Sequence, residues 1–75
     1  MRLTSLKKRE VAEIIGIDQC EDNIYQRLLD LGFVKGTKVT IESISPLGDP
    51  IAYCVYNTQI ALRCNEAKYI LIKKI

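Results

Sequence analysis

The amino-acid sequence predicts a mainly β fold: a small, closed or nearly closed barrel of short strands, with one α-helix inserted at about residues 22–31. Three observations carry that expectation. Helical spacing of apolar residues is convincing in one segment only, around Ile24, Leu28 and Leu31. Elsewhere, β-branched and aromatic residues recur in short runs punctuated by glycine, proline and asparagine, as strands and turns do. The length of 75 residues leaves room for one core, so residues 1–75 are expected to form a single domain. Closing such a sheet removes the exposed edges that a flat one would leave.

In chain order, Lys7-Lys8-Arg9 reads as a solvated basic turn ahead of the first strand. Val11 to Ile17, Val-Ala-Glu-Ile-Ile-Gly-Ile, has the β-branched content of that strand. The period then changes. Ile24, Leu28 and Leu31, with Tyr25 and Leu29 beside them, make one wide apolar stripe on a helix. Asp22 stands where an N-cap belongs, Glu21 lies near the positive end of the helix dipole, and Gly32 follows as a C′ glycine.

Lys35-Gly36 is a turn, after which Val39 and Ile41 alternate with Lys38, Thr40 and Glu42. Ile44 breaks the parity, which places a bulge or bend near Ser43. Pro46-Leu47-Gly48-Asp49-Pro50 is a loop, since two prolines deny a ladder its donors. Ile51 to Tyr56 and Gln59 to Arg63 are expected to form a hairpin turning at Asn57-Thr58, with Val55 opposite Ile60 and Tyr53 opposite Leu62. That register sends Ile51, Tyr53, Val55, Ile60, Leu62 and Cys64 to the core, and Ala52, Cys54, Tyr56, Gln59, Ala61 and Arg63 outward. Asn65-Glu66-Ala67 is expected to make one helical turn before a closing strand with Ile70 and Ile72 inside and Lys73 outside.

The chemistry points to a binding domain and away from an enzyme. There is no histidine, the commonest general base and transition-metal ligand. No P-loop, nucleophile elbow or dinucleotide-binding glycine pattern occurs. Cys20, Cys54 and Cys64 form neither a CxxC motif nor an even-numbered disulfide framework, and are expected as reduced, small hydrophobes. A shared metal is disfavoured, because the hairpin register puts Cys54 and Cys64 on opposite faces. Asp18, Glu21 and Asp22 read as helix-start acids, too few oxygens for a hard-cation cage. No metal site and no cofactor are expected. No apolar run reaches the ~20 residues that cross a bilayer, and the charged start does not resemble a secretory signal, so a cytoplasmic location is expected.

The net charge is +2, positive over residues 1–10, negative over 11–34 and positive again over 35–75. That division gives no basic face, so no nucleic-acid partner is expected. Most aromatic residues fall at core positions, while Tyr56 is placed outward beside Arg63 and Cys54, as a contact spot.

The string Arg27-Leu28-Leu29-Asp30-Leu31-Gly32-Phe33, then Gly36-Thr37, Pro46-Leu47-Gly48-Asp49-Pro50-Ile51, Ile60-Ala61-Leu62-Arg63 and Glu66-Ala67 resembles the ferrous iron transport protein A (FeoA) family. The match runs in order over essentially the whole chain. The resemblance implies an SH3-like barrel in the bacterial cytosol, assisting a membrane ferrous-iron permease that carries a GTPase domain (FeoB-type). Many members have a proline before the glycine of the Lys35-Gly36 turn, and a Pro-Gly or Gly pair at Lys7-Lys8-Arg9-Glu10; both departures fall in turns. The expected function is therefore an accessory that binds and modulates that permease. The alternative is a small β-barrel module that binds nucleic acid or acts in metal-responsive regulation. Candidate partner-binding residues are Arg27, Leu47, Asp49, Tyr56 and Arg63, with a groove lined by Leu47, Tyr56 and the stem of Arg63. Arg27 and Arg63 can instead pair with Asp30 or Asp49. Pairing of an exposed strand into a homodimer is a further expectation.

Overall fold

The computed structural model describes residues 1–75. A 3-10 turn at Leu3–Ser5 precedes β1 (Val11–Ile17), α1 (Asp22–Asp30), β2 (Lys38–Ile44), β3 (Ile51–Val55), β4 (Thr58–Leu62), the one-turn helix α2 (Cys64–Ala67) and β5 (Ile70–Lys74). The five strands form one antiparallel sheet in the order β4-β3-β2-β1-β5. Sequential strands are thus neighbours except β5, which returns to the far side of β1. The sheet curls around a core of Leu3, Leu6, Ala12, Ile14, Leu28, Phe33, Val39, Tyr53, Val55, Leu62, Ala67, Ile70 and Ile72. Each fully buried side chain of Leu, Ile or Phe size contributes about 1.5–3 kcal/mol, against the ordering entropy of a short chain. Leu3 and Leu6 belong to this core although their segment has no readable period.

Helix α1 lays Leu28 into the core with Ile24 and Leu31 partly buried beside it, as the apolar stripe requires. Its N-cap is Glu21, one residue before the expected Asp22, and neither side chain caps the helix. At its end Gly32 takes φ +106°, the Gly32 amide donates to the Leu29 carbonyl and the Phe33 amide to that of Leu28. This is the double closure of a Schellman motif, and it delivers Phe33 into the core. The Thr37 amide then donates to the Val34 carbonyl, with Gly36 at φ +93° in the third position of a tight turn.

The bulge foreseen near Ser43 is present: pairing with β3 shifts between Ile41 and Ser43. The following loop contains a cis Asp49–Pro50 peptide. The β3–β4 register differs from expectation. Tyr53 faces Ile60, and Val55 faces Thr58, so the turn is Tyr56-Asn57, with φ of +53° and +59°. Two consecutive positive φ values match the right-handed twist of the strands they join. The slip is two residues, so each strand residue keeps its expected face. Arg63 and Cys64 lie beyond β4, however: Arg63 caps α2 and Cys64 begins it.

Candidate functional site

The five candidate residues fall into two groups at opposite ends of the hairpin. Arg27, Asp49 and Arg63 gather where α2 begins. Glu66 is the hub there. Its carboxylate meets the Arg27 guanidinium at 2.6 Å and accepts from the Arg63 amide at 3.4 Å. Arg27 therefore pairs with Glu66, and neither with Asp30, which takes Gln26, nor with Asp49. Asp49 Oδ1 accepts from the Cys64 amide at 3.0 Å, tying the 45–50 loop to the first turn of α2. Burial, and then the Asp49 carboxylate, pushes the Cys64 thiol up from its ordinary range. The buried Tyr53 phenol beside them is pushed up to about 12 by burial first, and then by Cys64 and Asp49. Leu47, at the tip of the same loop, is 93% exposed.

Tyr56 sits at the other end. Ile51 pairs with Leu62 and Val55 with Thr58, so the length of the ladder, roughly 13 Å at ~3.3 Å per residue, separates the Tyr56 turn from Arg63. The expected neighbourhood of Tyr56 and Arg63, and the groove lined by both together with Leu47, do not form. Shared face does not mean shared location along a strand. Cys54 does lie near Tyr56.

What surrounds Tyr56 is an open groove of about 480 Å³ along β1, β2 and the hairpin turn, walled by Val11, Thr37, Thr40 and Cys54. Tyr56 is 70% exposed, yet its hydroxyl is held. The buried Thr37 hydroxyl donates to the Tyr56 hydroxyl oxygen at 3.1 Å. Gly32 lies along the other edge, where an added Cβ would stand 3.7 Å from the ring. Lys38 brings a positive charge to the rim. Thr37, Val11 and Thr40 were missed because a face assignment, made strand by strand, cannot show which neighbouring strands border a turn. A second, smaller depression, of about 370 Å³, holds Arg2, Asp18, Lys68 and Tyr69. In it Arg2 and Asp18 pair at 2.6 Å, and the Lys68 ammonium stands 5.2 Å from the Tyr69 ring centre.

Lys7, Lys8 and Arg9 are exposed in a turn, as expected for a solvated run. No three His, Cys, Asp or Glu side chains converge into a metal-holding group. No helix is long and apolar enough to cross a membrane.

A five-stranded curled sheet with one helix between its first two strands, and exposed residues at its loop and turn, defines the class: a small SH3-like barrel. The chain belongs to the FeoA domain family, whose model matches residues 1–74. It is 31% identical over all 75 residues to a Fe(2+) transport protein A/Fe(2+) transporter FeoB fusion protein of Porphyromonas gingivalis (strain ATCC BAA-308 / W83), spanning 9% of that protein. The solution structure of iron(II) transport protein A from Clostridium thermocellum superposes with a TM-score of 0.91 at 32% identity. That match covers 100% of this chain and 46% of the other. FeoA of Stenotrophomonas maltophilia, crystallised with zinc and described as a prokaryotic SH3 domain protein, matches with a TM-score of 0.84 at 34% identity. There the shares are 97% and 89%.

Proposed function

We propose that this chain is a cytoplasmic accessory of ferrous iron uptake, which binds an FeoB-type permease at its GTPase domain and modulates it. The supporting observation is the fused relative, in which a segment matching this chain over its full length shares a polypeptide with an Fe(2+) transporter FeoB. Fusion keeps two modules at millimolar effective concentration, which has value when they act on one another. A barrel with pre-positioned surface side chains suits such a contact better than any chemical step.

Of the candidate residues, Tyr56 is the better central contact. Its ring is exposed and its hydroxyl is held by Thr37, so less side-chain entropy is lost when a partner covers it. Leu47 is more exposed but has nothing packed around it to exclude water. Arg27 and Asp49 act mainly in holding α2 and its loop, through Glu66 and the Cys64 amide, while Arg63 lends that end only its backbone.

Calorimetric titration against the GTPase domain of the permease from the same organism, with and without guanine nucleotide, tests this reading. Saturable binding that Tyr56→Ala weakens about tenfold or more supports both the partner and the surface. Binding lost with Leu47→Ala but kept with Tyr56→Ala moves the contact to the 45–50 loop. Absence of binding at high micromolar concentration in either nucleotide state overturns the proposal.

A further inference from the structure

The sheet order β4-β3-β2-β1-β5 leaves two outer strands, and the molecule treats them differently. The edge of β5 is occupied: the Ile72 amide donates to the Met1 carbonyl at 2.7 Å, and Arg2 bridges Leu71. The edge of β4 is open. Val55 and Thr58 flank the two-residue turn as a hydrogen-bonded pair. Alternation then directs the backbone groups of Thr58, Ile60 and Leu62 to β3, and those of Gln59 and Ala61 outward. No backbone hydrogen bond outside the ladders takes up those groups, and both residues are exposed.

Open edges are normally guarded by lysine, proline or a bulge. Strand β4 reads Thr-Gln-Ile-Ala-Leu, without charge or proline, and its ladder with β3 has no irregularity. We propose that this edge receives the same edge of a second copy of the chain, antiparallel about a two-fold axis through Ile60. Gln59 then faces the partner's Ala61, and Ala61 the partner's Gln59, closing four backbone hydrogen bonds. Half-buried Ile60 meets the partner's Ile60 across the axis and gains cover there.

The choice of a second copy rests on charge and symmetry. A neutral strand opposes no like charges when paired with itself, and at its end Arg63 is set against the partner's Asn57. A charged segment of another protein finds no complementary charge along this edge. The contact is small, and a Kd on the order of 0.1 mM is expected for so few hydrogen bonds. The proposal does not rest on the permease reading.

Sedimentation equilibrium and amide-resolved NMR of the full chain from about 10 μM to 1 mM bracket that affinity. A concentration-dependent dimer is expected, with shift changes and exchange protection centred on the Gln59 and Ala61 amides. Ala61→Lys should raise the Kd at least tenfold with an unchanged circular dichroism spectrum, and Gln59→Lys should do the same from the other outward position. A monomer throughout that range overturns the proposal. So does a dimer indifferent to both variants, or protection of these amides by the permease GTPase domain without self-association.

Discussion

Gly32 shows how one residue joins the helix to the candidate surface. At φ +106° it ends α1, beside Val55 and the Tyr56 ring. An alanine there is strained by its backbone, and its methyl meets those side chains only at ordinary contact distance. Gly32→Ala is therefore expected to cost about 1–3 kcal/mol, read from the urea midpoint, with the strain and not a clash as the cause. Tyr53 predicts a pH dependence. Its phenol has an ordinary value of 10.0 and is pushed up to about 12 in the fold, because burial disfavours the phenolate. The folded-state value is the higher one, so this contribution is whole below pH 10 and lost as pH rises toward 12. At two pH units the loss is on the order of 2–3 kcal/mol, and Tyr53→Phe should remove that part of the alkaline decline. The Cys64 thiol, also raised, acts with the same sign, so the comparison is cleanest in a Cys64→Ser background.

Elements with a strong period were legible before the structure, and their connections were not. The helix stripe, the alternation of β2, the Ser43 bulge and the inward Ile70 and Ile72 all follow from periods that burial enforces. The hairpin register slipped because the turn uses Tyr56, an aromatic residue at positive φ that no propensity singles out, while Asn57-Thr58 looked the better turn. A two-residue slip preserves parity, so Tyr53, Val55 and Leu62 came out buried while positions along the strand shifted, and Cys64, expected inside, instead begins α2. That is also why Tyr56 and Arg63 were expected as neighbours and lie at opposite ends of the hairpin. Helix α2 adds what no pattern could show, a carboxylate shared between elements. Glu66 is largely covered while Arg27 is 59% exposed, so the two truncations should differ. Glu66→Ala loses both the bond to the Arg63 amide and the ion pair, and should cost about 1–2 kcal/mol. Arg27→Ala leaves the amide bond in place and should cost less than about 1 kcal/mol. A double-mutant cycle with a coupling near zero would contradict this assignment of Glu66 as the link between α1 and α2.

At the scale of the whole molecule, both chain ends are tied back to the start and finish of β1. Arg2 reaches Asp18 just after β1, and Lys74 reaches Glu10 just before it. Between them, the Met1 carbonyl takes the Ile72 amide, and the Val11 carbonyl takes the Ile75 amide. These ties hold Leu3 against the core and keep β5 in register, so a small barrel gains from its termini what its size denies it. Both carboxyls are shifted in the same direction. The Lys74 side chain, then the Lys7 amide, holds Glu10 below its ordinary 4.5, and the Arg2 guanidinium, then the Gln19 amide, holds Asp18 below 3.8. A depressed folded-state value means that the contribution is present above the ordinary value and lost as pH falls through the depressed one. Urea midpoints are therefore expected to hold steady down to about pH 5 and to fall below pH 4. Both groups face solvent, so added salt should shrink this acid-side slope. Arg2→Met should flatten the part that belongs to Asp18 and, because Arg2 also bonds the Lys68 carbonyl, should loosen the N-terminal segment first. Amide exchange that rises at Ile72 before it rises in β3 would confirm that order, while uniform exchange would show that the termini add nothing beyond the barrel itself.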